Sequence, residues 1–252
     1  MACVYGVEQP CAECRMCDMG KHQQPQENYR KEKGKMENKT EMENAAKIEI
    51  KYRECFTTYI NRPGAAELLE WMRANGFFEA PASTKHHGAK LGGLAQHSIN
   101  VFQRLAEIAM KEKKLLKHLN LETLAITALL HDLCKIDAYK PKITGNTYPH
   151  KTAEEKPKWE YTNNFPVGHG EKSIILIMHF MWLTEEEMLA IRWHMGAFDS
   201  ATRGGSADMN NAFKQCKLAV MLHLADMMAT HFDETEEGGN ELLRQATEPE
   251  AE

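Results

Sequence analysis

Several things are missing from this sequence, and each absence removes a class of function. The longest apolar run, residues 174–183, is too short to span a bilayer and contains His179. The first residues hold no apolar stretch of the secretory type, so the expected compartment is the cytoplasm, with no membrane partner. Excess positive charge is also absent. The net charge is −5 and the isoelectric point is near 6.2, so no general basic field draws the chain to nucleic acid or an anionic surface. That leaves room for a local basic groove. The seven cysteines are odd in number and unevenly spaced, which argues against a secreted disulfide framework. No internal repeat is visible.

What remains suits one good-sized helical core: 252 residues, 42% of them hydrophobic. Residues 1–44 read as a cysteine-containing tail followed by a charged linker. Cys3, Cys11, Cys14 and Cys17 crowd its start. They fit either a reduced tail or, with Cys3 as a fourth thiolate, a further metal site of zinc or iron–sulfur type. Residues 20–44 are almost without apolar side chains and are expected to stay unstructured.

Residues 45–233 read as the folded domain, and residues 234–252 as an acidic, flexible tail. Helices are expected from residue 45 to Pro63-Gly64, over 65–74, over about 91–113, over 121–137, over 171–182, from a Thr184/Glu187 capping box through His194, and over about 210–231. Between them, residues 138–173 are rich in proline and glycine. Two short strands, around 143–148 and 158–161, are expected there as a hairpin. The fifteen methionines fill core gaps.

Chemistry enters where polar residues interrupt apolar helix faces. Leu121, Leu124, Ala128 and His131 follow helical steps of three and four, and so do Ala125, Leu129 and Asp132. A carboxylate at the end of such a stripe is costly to bury unless it is paired or bound to a cation. His97 sits on a face with Leu94, Val101, Leu105 and Ile108. Asp226 shares a face with Leu218, Leu222 and Ala229, His169 stands between two glycines, and His194 closes the helix after the capping box. Four imidazoles and two carboxylates have the composition of a metal centre. Neutral imidazole and carboxylate suit Mn, Fe, Ni, Mg or Zn without choosing among them.

This ordered set resembles the HD superfamily of metal-dependent phosphohydrolases, with its pattern H…HD…D and two more histidines in dinuclear members. Here it reads His97, His131-Asp132 and Asp226, plus His169 and His194, with Lys135 placed as in the family's HDxxK; the resemblance covers residues 56–233. Residues 77–98, FFEAPASTKHHGAKLGGLAQHS, look like the entry to the HD domain of YhaM-type 3′–5′ exoribonucleases, although no OB-fold precedes them here. Cys134 stands where many members carry glycine.

The resemblance implies an all-α HD-type bundle with a small hairpin and a pair of divalent ions bridged by Asp132. It also implies hydrolysis of a phosphoester in a nucleotide or a single-stranded nucleic-acid end. Asp132 and Lys135 would be the catalytic residues, Lys135 countering phosphoryl charge or else simply closing a helix end. His86, His87, Lys140, Lys142, Trp159 and Tyr161 are candidate substrate contacts, each with a plain surface or packed-hairpin alternative. Some HD-fold proteins with a similar ligand set are mixed-valent di-iron oxygenases, and a non-catalytic nucleotide-binding module is the third alternative. Other histidines (His118, His179, His223, His231) read as structural or exposed.

Overall fold

A computed structural model describes residues 39–84, 88–112, 120–141 and 159–235. The four N-terminal cysteines, His86, His87, His118, Lys142 and the expected strand at 143–148 lie outside these residues. The described chain is helical throughout apart from one two-stranded antiparallel sheet, an all-α bundle with a small hairpin. Among the described residues, no helix is long and apolar enough to cross a membrane.

The first helix, α1 (Lys39–Tyr59), begins inside the charged stretch that composition alone assigns to the linker. Its Lys, Glu and Met residues are good helix formers, and further along it Tyr52 and Phe56 are buried in the core. Tyr52 stacks at an angle on Phe77, with centroids 5.1 Å apart, and donates its hydroxyl to the Leu129 carbonyl at 2.7 Å. Helix α2 (Ala65–Ala74) stops at Asn75, with Gly76 beyond it at φ 86°. Next come α3 (Gly93–Lys111) and α4 (Leu121–Leu130). The latter is capped by the Asn120 side chain, which accepts from the Thr123 amide.

The expected helix over 121–137 is shorter. Its α-helical part ends at Leu130, and residues Leu133–Asp137 tighten into a 3₁₀ turn. The hairpin pairs β1 (Tyr139–Pro141) with β2 (Trp159–Tyr161), with Tyr139 opposite Tyr161. Its first strand therefore starts earlier than the residues expected to form it. Helix α5 (His169–Met178) leads to α6 (Glu185–Trp193), where both halves of the Thr184/Glu187 capping box are present. A short α7 (Ser200–Arg203) follows.

The expected last helix is interrupted. Cys216 is extended (φ −117°, ψ 104°) and divides α8 (Asp208–Gln215) from α9 (Lys217–Met228), which ends in a π-type turn, Ala229–Asp233.

At the centre α3 packs on α4 and on α9, while α6 packs on α5 and on α9. A buried ionic knot clamps this core from one end. Glu187, fully buried, accepts from both Arg62 guanidinium nitrogens (2.6 and 2.9 Å), from the Thr123 hydroxyl and from the Thr184 amide. It thereby ties the loop before α2 to α4 and α6, whose far ends carry His131 and His194.

Candidate metal centre

The site is built from helix ends. His131 and His194 occupy the C-cap positions of α4 and α6. Each ring bonds through Nδ1 to the carbonyl three residues back, Ala128 at 2.8 Å and Ile191 at 2.7 Å. A carbonyl accepts only from N–H, so both rings carry their proton on Nδ1 and both Nε2 lone pairs point away from the helix. His179 makes a similar bond to Ile175, but on an exposed face. The cap alone therefore does not mark a site, whereas burial and convergence do. His131 and His194 are fully buried, and among the described residues neither Nε2 has a well-aligned hydrogen-bond partner.

Between these two lone pairs lies Asp132. Its two oxygens face different groups. Oδ1 is 2.7 Å from His169 Nε2 and 3.4 Å from His194 Nε2. Oδ2 is 2.7 Å from Lys135 Nζ, 3.3 Å from His131 Nε2 and 3.6 Å from His97 Nε2. His97 Nε2 also lies 3.2 Å from Asp226 Oδ1. Donor atoms within 4.8 Å of one another form three linked trios: His97, His131 and Asp226; His131, Asp132 and His194; Asp132, Cys134 and His169. All six residues expected to hold metal are thus in one cluster.

Local sequence explains the convergence of the later pair. Gly168 sits at φ 101° and leads into α5. Gly170 brings the start of that helix against the end of α6: an added Cβ would stand 2.6 Å from the carbonyl oxygens of Ile191 and Arg192. His169 and His194 end up with ring centroids 5.5 Å apart. On the other side, the buried Ser173 hydroxyl accepts from the Cys134 amide at 3.1 Å, and Lys172 reaches Asp137 at 2.5 Å. These bonds fasten α5 to the 3₁₀ turn after Asp132.

The charges are arranged for a cation. Burial alone would raise the Asp132 carboxyl, but the Lys135 ammonium, with His131 and His169, holds it well below the usual carboxylate range. Asp226 is held low in the same way, against its burial, chiefly by its hydrogen bond to His97. Burial would lower His97, yet the carboxylates of Glu234 and Asp226 push it up to about 10. His169 is lowered by burial in spite of its bond to Asp132. His194 is raised by Asp132 and Asp226 against its burial. In this arrangement protons and the Lys135 ammonium stand among the carboxylate oxygens where a divalent ion would. Buried imidazole nitrogens converging on carboxylates of low pKa are the donor set such an ion needs.

Cys134 is the donor that sequence reasoning noted but did not place in the set. It is buried, and burial together with Asp132 pushes its thiol up to about 12, so in the metal-free protein it stays protonated. Glu234 was assigned to the tail; its carboxylate instead lies 2.8 Å from His97 Nδ1. A single acid after a helix carries no sequence signal of that kind. Of the expected substrate contacts, Lys140 is exposed on β1, and Trp159 is buried in the hairpin at 6% exposure. The packed-hairpin reading therefore suits Trp159. The exposed ring on β2 is Tyr161, whose centroid is 5.9 Å from Tyr139.

A family model described as HD domain matches residues 94–230, the segment that holds His97, His131, Asp132, His169, His194 and Asp226. No curated protein and no solved structure gives a significant match to the chain.

Proposed function

The chain belongs to the HD-domain family of metal-dependent phosphohydrolases, and from that premise we propose that it hydrolyses a phosphoester of a nucleotide or of a single-stranded nucleic-acid end. The observation that carries the reading is the division of labour at Asp132. One of its oxygens serves His169 and His194, and the other serves His97, His131 and Lys135. A carboxylate so placed suits bridging of two ions. His97, His131 and Asp226 would complete one ligand set, and His169 and His194 the other.

When bound, the ions would supply a water of lowered pKa and neutralise phosphoryl charge. The chain's own residues do the rest. The helix-end carbonyls of Ala128 and Ile191 hold two imidazoles with Nε2 facing inward. Lys135, raised by Asp132 against its burial, keeps its charge at any physiological pH. Its amine lies on the Asp132 oxygen shared with His131, within reach of a phosphoryl oxygen entering that corner. Such a fixed cation favours the hydrolase over the oxygenase reading, because C–H oxidation has no anionic transferring group to balance. The catalytic unit we assign is residues 45–233, lengthened by the earlier start of α1 and by Glu234.

The test loads chelator-stripped protein with Mn²⁺, Ni²⁺, Fe²⁺, Mg²⁺ or Zn²⁺. It then offers generic phosphodiesters, nucleotides, cyclic nucleotides and oligonucleotides, with Asp132→Ala as control. Turnover that disappears in the control supports the reading. No turnover with any metal, or oxygen uptake with stoichiometric iron, overturns it.

A further inference from the structure

His97 differs from the other two fully buried imidazoles in what holds its far nitrogen. His131 and His194 are oriented by backbone carbonyls of their own helices. His97 lies in the second turn of α3, well before its C-terminal end. Its Nδ1 is 2.8 Å from Glu234 Oε1 instead. The same oxygen accepts from Asn100 Nδ2 at 3.1 Å, one turn further along α3. One turn beyond that, the Arg104 guanidinium forms a two-pronged ion pair with Asp233. His97, Asn100 and Arg104 thus form one stripe of α3 that grips two consecutive acids, the last residue of the π-type turn ending α9 and the residue that follows it. Those acids lie past residue 230, where the family match stops. Asp226, whose Oδ1 faces His97 Nε2 at 3.2 Å, belongs to the same α9 that delivers Glu234.

We propose that Glu234 is the positioning residue for His97. Its carboxylate takes the Nδ1–H, fixes the ring plane, and commits the Nε2 lone pair to the corner shared with Asp226 and Asp132. Asn100 and the Arg104–Asp233 pair hold that carboxylate in place. The inference rests on the reading of His97 as a metal-holding residue. Its physical basis is general: a ligating imidazole whose second nitrogen donates to a carboxylate is oriented and made more basic, and loss of that partner typically costs about 10–100-fold in metal affinity. Burial sharpens the effect here, since the Glu234 side chain is 7% exposed and His97 1%.

The experiment titrates chelator-stripped full-length protein with Zn²⁺ and Co²⁺, using wild type, Glu234→Ala, Glu234→Gln and His97→Ala. Melting of each metal-free variant is followed alongside. Glu234→Ala is expected to weaken one ion's binding by about 10–100-fold and to alter the Co²⁺ visible spectrum. Glu234→Gln, whose amide oxygen can still accept from Nδ1, should recover part of that loss. A structural role alone would lower melting in both variants and leave affinity unmoved. Should the alanine variant fold poorly, long-range ¹H–¹⁵N spectra of Zn²⁺-loaded wild type answer the same question. His97 is expected to be metallated at Nε2 and protonated at Nδ1. Wild-type affinity in Glu234→Ala, equal losses in both Glu234 variants, or metal on His97 Nδ1 overturns the proposal. If His97→Ala itself leaves Zn²⁺ binding unchanged, the metal-centre reading falls, and this inference with it.

Discussion

A Cβ on Gly170 would stand 2.6 Å from the carbonyl oxygen of Ile191, so α5 can begin against the last turn of α6 only because residue 170 has no side chain. That approach sets His169 beside His194. Gly170→Ala is expected to cost about 1–3 kcal/mol of stability, as overpacking of a close contact does. It should also draw His169 away from Asp132. The trio His97, His131 and Asp226 depends on α3, α4 and α9, so one of two ions should stay bound. Metal stoichiometry beside denaturant unfolding checks this. Full two-ion binding at unchanged stability would mean that the α5–α6 contact does not set the site.

Asp132 faces both halves of the cluster. Asp132→Ala should abolish phosphoester turnover, by about 10³-fold or more, because the loss falls on both ligand sets and not on a single hydrogen bond. It also leaves the Lys135 ammonium, 12% exposed, without its carboxylate. The metal-free variant is therefore expected to be less stable by about 3 kcal/mol, the scale for removing one partner of a buried pair. Adding Lys135→Met to Asp132→Ala should restore much of that stability and none of the activity.

Lys135→Met alone separates binding from chemistry. A cation 2.7 Å from Asp132 Oδ2 repels an incoming divalent ion, so its removal should leave metal affinity equal or tighter. Turnover should still fall by about 10²-fold, the usual cost of losing one group that stabilises transition-state charge. Parallel measurement of Zn²⁺ affinity and kcat decides it. Weaker metal binding in this variant would show that Lys135 supports the ligand set instead of the reacting phosphoryl group.

The helices were legible because their apolar periodicity and turn residues agree, and the six polar residues stood out because each broke an apolar face or sat between glycines. Local signals reached less far where the third dimension decides. The α-helix carrying His131 stops at Leu130 because the ring takes the Ala128 carbonyl and the chain tightens behind it, a competition invisible in a pattern of leucines and alanines. The start of α1 at Lys39 lies in a stretch whose composition resembles a linker, although its Lys, Glu and Met residues are good helix formers. Glu234 has no local signal at all. Its role comes from the Arg104–Asp233 pair and from the turn that carries it back onto α3.

The pH dependence of the metal-free protein follows from the same charges. In the unfolded chain His97 titrates near its ordinary value, about 6.5, and in the folded protein at about 10. A raised pKa means that the folded state holds the proton more tightly. Its contribution is complete below about pH 6.5 and is lost as the pH climbs to about 10. Asp132 and Asp226, both held low, contribute in the opposite sense. Their share is present above the ordinary carboxylate pKa of about 4 and is lost on acidification. Chelator-stripped protein should therefore be most stable between about pH 4 and 6.5, as far as these groups decide. Metal affinity should rise with pH, because the ion must displace the His97 proton. Urea unfolding and Zn²⁺ titration carried from below about pH 4 up to about pH 10 check both limbs; a flat Zn²⁺ profile would show that His97 exchanges no proton on binding.

Far from the cluster, the Arg62–Glu187 knot makes a prediction about stability alone. Glu187 is fully buried and accepts from Arg62, Thr123 and the Thr184 amide, while Arg62 also reaches Glu122 at 3.4 Å. Arg62→Met would leave a buried carboxylate with hydrogen bonds but no countercharge, at a cost of about 3–5 kcal/mol. Glu187→Gln keeps one acceptor oxygen, which can serve the Thr184 amide, while the Thr123 hydroxyl can turn to accept from the new amide nitrogen, and it removes the uncompensated charge. Combined with Arg62→Met, it should recover part of the loss. Because the knot joins the starts of α4 and α6, whose far ends carry His131 and His194, the folded fraction of each variant should bind metal as wild type does. Denaturant midpoints and Zn²⁺ affinity per folded molecule measure the two separately. If affinity falls in step with stability, the spacing of the two helices at the knot also sets the geometry at the site.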